Sequence, residues 1–271
     1  MYSRTIPLSK KTEKVATHQR LIRAARRATV PFLPTNTTFP PAKQIIHFEG
    51  KNGPDGLASK HSVGDEPTEF INPKDPTDRK LLAEIKNRIY NLHIAIKKKN
   101  HIRANFEAAW LSHIIIDGLT PPHHQPFKEQ LKEIDPREAA EIDSRLKRIF
   151  TSGGDNALDT FALNWKRLGP HGVGTNHMMF EAGVDLLVMP LSPRHLSRVE
   201  ITTAELKRVK SGRFISLYSD AVKKINSLRM FERYEKSSWT TDLATDVRET
   251  LIPEIVRMIT LAWLAAVYKG K

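Results

Sequence analysis

Apolar positions recur at helical intervals along most of the chain, and no stretch shows the strict alternation of a half-buried strand. Leu81, Leu82, Ile85, Ile89, Leu92 and Ile96 form a stripe spaced by threes and fours. That stripe predicts a helix over residues 77–98, capped by Thr77 or Asp78. Leu21, Ile22, Ala24 and Ala25 predict an earlier helix, and Pro31, Pro34, Pro40 and Pro41 enforce an extended connector after it. Residues 127–150 interleave charges and read as a solvated helix, with a loop at Gly153-Gly154. Residues 195–271 read as helical and basic, closing on an apolar helix from Ile255 to Tyr268 that is too short to span a bilayer and is expected to be buried. The pattern predicts an all-α protein with a basic helix and connector over residues 1–43 and a multi-helix domain over 44–271.

One stretch, residues 106–126, carries chemistry on that pattern. Phe106, Ala109, Trp110, His113 and Asp117 share a helix face, so a ring, an imidazole and a carboxylate point the same way. Gly118 and Pro121-Pro122 are expected to end the helix, and His123 and His124 follow at once. Three histidines and an aspartate set among Ile114, Ile115 and Ile116 favour a metal site over a lone hydrogen-bonded core histidine. Neutral imidazole and carboxylate oxygen suit zinc.

Composition narrows the ligand set. The chain has no cysteine, so disulfides and thiolate metal sites are excluded and any ligands are His and carboxylate. Without a recognisable secretory signal pattern, a cytoplasmic location is expected. The formal net charge of +13 favours a polyanionic partner, either nucleic acid or an anionic membrane surface, although a solubilising excess would look the same. Arg20, Arg23, Arg26 and Arg27 concentrate charge on the first helix, which reads as a nucleic-acid arm, a membrane-surface helix or a solvated first helix, the last being slightly favoured.

Two further regions bear on the site. In residues 169–188 the glycine-rich part lacks the lysine of a phosphate-cradling loop and reads as a turn. His177 and Glu181 then repeat the spacing of His113 and Asp117. Residues 45–76 are loop-like, with His47, Asp55, His61, Asp65 and Glu69 among the apolar anchors Ile45, Ile46, Phe48 and Phe70. An ordered loop that lays polar groups over the site is expected.

The spacing His113-x3-Asp117-x5-His123, joined by His177-x3-Glu181, resembles the signature of the zinc-dependent phospholipase C and single-strand nuclease superfamily. Asp55 lies fourteen residues before Glu69, where that family has an Asp and a His. The resemblance covers roughly residues 55–181 and implies a zinc-dependent phosphodiesterase of the two-metal kind. It implies one metal held by Asp55, Glu69, His113 and Asp117, another held by His123, His177 and Glu181, and Asp55 as the group that orients or deprotonates water. His124 is then a supporting or exposed residue. The chain departs from the family at Glu69, which stands in place of His, and at Met1-Tyr2, where the family has an N-terminal Trp that binds a third metal with a nearby His. His18, His47 or His61 could supply a further ligand. Those departures support a second reading, a degenerate relative whose metal braces the helices while its basic surface binds a polyanion. The substrate class, phospholipid or nucleic acid, stays open at this point.

Overall fold

The computed structural model describes residues 17–49, 68–125 and 157–269, with residues 53–54, 130 and 133–134 between them. The described residues are helical and contain no strand, so the fold is all-α. The helices are α1 (Thr17–Thr29), α2 (Ala42–His47), α3 (Lys80–Lys97), α4 (His101–Leu119), α5 (Ala157–Leu168), α6 (Val173–Val188) and α7 (Pro193–Leu196). They continue with α8 (Thr203–Lys210), α9 (Phe214–Ser227), α10 (Met230–Ser237), α11 (Thr241–Asp246) and α12 (Ile252–Tyr268). The solvated helix and loop expected between 127 and 156 fall almost wholly outside the described residues.

Helix α12 is the axis of the core. It packs against α1, α3, α4, α8 and α9, and Ile255, Val256, Met258, Ile259, Leu261, Trp263 and Leu264 have no exposed surface. Each such aliphatic or aromatic side chain contributes about 1.5–3 kcal/mol by leaving water. The indole N–H of Trp263 donates to the Ala108 carbonyl at 3.2 Å, which pins α12 to α4 without an orphaned donor. A π-helical turn, Val247–Leu251, joins α11 to α12 just before Pro253, whose missing N–H interrupts the helical ladder. The continuous helix Thr241–Tyr268 is 28 residues long and, contrary to the sequence reading, is long and apolar enough to cross a membrane, but its most apolar window is 83% buried within the protein itself.

Helix α4 is buried on every side from Ala104 to Leu119 except at Phe106, which is half-buried. Its start is fixed by Asn100, whose side chain accepts the Arg103 N–H at 3.0 Å. The residue before it, Lys99, takes a left-handed φ of 55° and breaks the chain away from α3. Gly118 does not end α4 as the sequence suggested. It lies inside the helix where α3 and α9 press closest, and a Cβ there would stand 2.4 Å from both Leu81 Cδ2 and Tyr218 Oη. The stop comes at Thr120, extended at ψ 123°, because Pro121 excludes helical geometry from the residue before it.

Helix α3 follows the expected stripe, with Leu81, Ile85, Ile89 and Leu92 buried. Neither Thr77 nor Asp78 caps it: the helix starts after Arg79, and Asp78 instead accepts the Asn72 N–H at 2.8 Å. On α1, Leu21, Ile22, Ala25 and Thr29 are buried in the face that packs on α12 and α4, while Arg23 and Arg27 are not buried and Arg26 lies over the Phe39 ring at 5.4 Å.

Candidate metal centre

Three α-helices, a 3-10 turn and two connecting segments deliver imidazoles and carboxylates to one buried volume. Helix α4 presents His113 and Asp117 one turn apart, with Nε2 of His113 3.1 Å from Asp117 Oδ2. The segment before α3 brings in Glu69, whose Oε1 lies 3.1 Å from the same Nε2. That segment is held by the Ile71 N–H, which donates to the His123 carbonyl at 3.0 Å, and by Phe70, stacked on the His123 ring at 4.7 Å. His123 stands in the 3-10 turn Pro121–His124. Its Nε2 is 3.2 Å from Glu181 Oε1 on α6, and His177 Nε2 reaches the same oxygen at 3.2 Å.

These residues fall into overlapping groups whose ligand atoms lie within 4.8 Å of one another: His123 with His177 and Glu181, Glu69 with Asp117 and His123, and His18 with His113 and Asp117. The structure therefore brings together Glu69, His113, Asp117, His123, His177 and Glu181, although a wide stretch of chain separates the first from the last. Asp55, read as ligand and catalytic group, lies outside the described residues, as do His61 and Asp65. His47 packs edge-on against Phe48 and takes no part in these groups. His124 is buried and donates from Nε2 to the Gly118 carbonyl at 3.1 Å, so it closes the end of α4 and is in none of these groups.

Two members carry no motif in the sequence. His18, at the start of α1, is fully buried, with Nε2 3.1 Å from Asp117 Oδ1. Glu49, just after α2, places Oε1 2.8 Å from His18 Nδ1 and 2.9 Å from His113 Nδ1. The signal for His18 was its register, since it shares the buried stripe of Leu21, Ile22 and Ala25. Glu49 had no comparable signal; only the apolar anchors before it, Ile45 and Phe48, marked the segment as tethered.

The electrostatics follow from this crowding. Burial pushes His18 towards neutrality, but Asp117 and Glu49 outweigh it and raise its pKa from 6.5 to about 9. His113 is likewise raised well above the usual imidazole range, burial being outweighed by Asp117 and Glu49. Burial opposes ionisation of Glu49, Asp117 and Glu181, yet neighbouring positive charge holds all three below the ordinary carboxylate range, with His18 and His113 contributing at Glu49 and Asp117 and His177 and His123 at Glu181. Burial lowers His177 despite Glu181, and it lowers His124 to about 4.

Glu49, Glu69, Asp117 and Glu181 each pair with one or more histidines. Carboxylates gathered in a protein interior draw positive charge, which a divalent cation can supply. One oxygen of Glu49 and Nδ1 of His123 are also buried with no hydrogen-bond partner among the described residues. The clustered nitrogen and oxygen donors and the orphaned atoms are compatible with a bound divalent metal ion. No protein-family model, curated protein or solved structure matches this chain.

Proposed function

We propose that the protein is a zinc-dependent phosphodiesterase that resembles the phospholipase C and single-strand nuclease superfamily. The observation that carries this reading is the convergence of His113, Asp117, Glu69, His123, His177 and Glu181 into adjoining ligand groups, with Asp117 between them. Zinc bound there would act as a Lewis acid on a phosphoryl oxygen and lower the pKa of water to about 7. Glu69, His113 and Asp117 would hold one ion, and His123, His177 and Glu181 the other. Phe70 keeps the His123 ring in place by stacking and tilts towards His177 at 6.3 Å. Asp55 remains the proposed residue for orienting or deprotonating the attacking water, and the basic surface would draw in the anionic diester.

A phospholipid fits better than a nucleic acid. Of three aromatic rings that could stack on bases, Phe70 is taken up by His123 and Phe48 packs against Phe106 at 6.0 Å, whereas Trp165 is exposed and stacks on Phe161 at 5.9 Å. On α5, which packs against α6, Leu158, Phe161 and Trp165 make an exposed apolar stripe. On α6, the helix that carries His177 and Glu181, Met178, Met179 and Leu186 are exposed as well. Apolar exposure on these two packed helices suits an acyl-chain boundary.

Three measurements test the reading: metal content of the full chain purified without added metal, hydrolysis of a generic phosphodiester, and that hydrolysis in Asp55→Asn. About two zinc ions per chain and turnover abolished by Asp55→Asn with zinc retained are expected. Bound zinc without hydrolysis would favour the second reading, a metal-braced polyanion binder, which Glu69 in place of an imidazole supports. Less than one bound ion per chain would remove both.

A further inference from the structure

Glu49 sits behind the two imidazoles rather than in front of them. A single oxygen, Oε1, meets Nδ1 of His18 at 2.8 Å and Nδ1 of His113 at 2.9 Å. The side chain has no exposed surface, and the two rings stand edge to face with centroids 4.9 Å apart. One oxygen can serve two nitrogens in this way only by accepting from both, so both nitrogens carry their protons.

That fixes what the far side of each ring presents. His18 Nε2 faces Asp117 Oδ1 at 3.1 Å, while His113 Nε2 faces Glu69 Oε1 and Asp117 Oδ2, each at 3.1 Å. A neutral ring protonated at Nδ1 has a lone pair at Nε2, and ionised carboxylates offer only lone pairs in return. Lone pairs meeting at such distances repel unless a proton or a cation lies between them. A cation in that position would be bound by imidazole on one side and carboxylate on the other. A ligating histidine commonly gives its second ring N–H to a carboxylate, which sets both tautomer and ring orientation.

We propose that Glu49 is the shared positioning residue of the centre, holding His18 and His113 as Nδ1–H tautomers so that both Nε2 atoms are delivered to the metal side. This rests on the metal-binding part of the function proposed above and not on its hydrolytic part. It makes the short turn that follows α2 part of the centre, although that turn contributes no ligand. It also links α1 to α4, because one carboxylate orients a histidine from each.

The test uses the full-length chain with zinc as the probe. Zinc affinity is measured by competition with a chromophoric chelator for wild type, Glu49→Leu and Glu49→Gln. Nitrogen-15 NMR of histidine-labelled protein reads which ring nitrogen is protonated and which is metal-bound, with His18→Gln and His113→Gln assigning the signals. Glu49→Leu is expected to lose about tenfold to a hundredfold in affinity, whereas Glu49→Gln, whose amide oxygen still accepts, keeps most of it. Wild-type His18 and His113 should show protonated Nδ1 and metal-bound Nε2. Metal on Nδ1 of either ring would overturn the proposal, and so would Glu49→Leu binding zinc as tightly as wild type. If Glu49→Leu does not fold, the wild-type ring pattern and Glu49→Gln still decide the matter. Wild type that binds no zinc would remove the metal reading itself, whereas zinc bound normally without Glu49 would remove only the role given to Glu49.

Discussion

The proton balance of the His18–His113 side gives a quantitative test of the centre. In the metal-free protein His18 has a pKa of about 9 against an ordinary value of 6.5. A raised imidazole pKa means that the folded state binds the proton more tightly than the unfolded chain. Its contribution is complete below pH 6.5 and is lost as pH rises through about 9. The difference amounts to about 3 kcal/mol for His18 alone, of the order of a third of a typical domain's stability. Glu49 and Asp117 have the opposite sign: both are lowered, so their contributions hold above their ordinary values and fail as pH falls. Metal-free protein should therefore be most stable between about pH 4.5 and 6.5 and weaken towards pH 9. Zinc reverses the upper half of this profile, because a cation must displace the Nε2 protons of His18 and His113. At pH 7 the displacement at His18 costs about 3 kcal/mol, on the order of a hundredfold in apparent affinity that is recovered by pH 9. Urea unfolding from pH 4 to 9.5, with and without chelator-buffered zinc, reads both limbs. Titration calorimetry in buffers of different ionisation enthalpy counts the protons released. Histidines of ordinary pKa would give a zinc affinity that is flat above pH 7, with almost no proton release. That result would refute the electrostatic account of the cluster.

Other expectations follow from single contacts. Gly118→Ala should destabilise the protein by about 1–3 kcal/mol in urea unfolding, because its Cβ meets Leu81 and Tyr218 where α3, α4 and α9 converge. Asn100→Ala should cost about 1 kcal/mol by the same measurement, since it removes the acceptor for the Arg103 N–H at the start of α4. Trp165 is the exposed tryptophan, at 57%, whereas Trp110 and Trp263 are buried, so its emission should shift to the blue on anionic phospholipid vesicles. Phe161→Ser combined with Leu158→Ser should abolish that shift; an unchanged spectrum in wild type would count against the lipid preference. His177→Ala should lower zinc stoichiometry by about one ion per chain while leaving the His18–His113 side able to bind, as metal analysis would show.

The sequence determined whatever depends on local spacing. Three-and-four periodicity made the chain helical, and one-turn separation put His113 beside Asp117 and His177 beside Glu181 wherever their helices went. The proline pair after Thr120 likewise fixed the stop of α4 and held His123 close to its end. Tertiary structure decided which of these local devices meet. His18 reaches Asp117 only because α1 lies against α12 and α4, and Glu49 reaches both imidazoles only because α2 packs on α1 and α4. Neither position has a partner within a turn of its own helix, so no spacing could announce it. The role of Gly118 was hidden for the same reason: a glycine near a helix end suggests a cap, while the need here is room for Tyr218 and Leu81 from other helices. Helical geometry sets direction within one turn of the chain. Charge compensation in a buried volume is settled only among all the segments that line it.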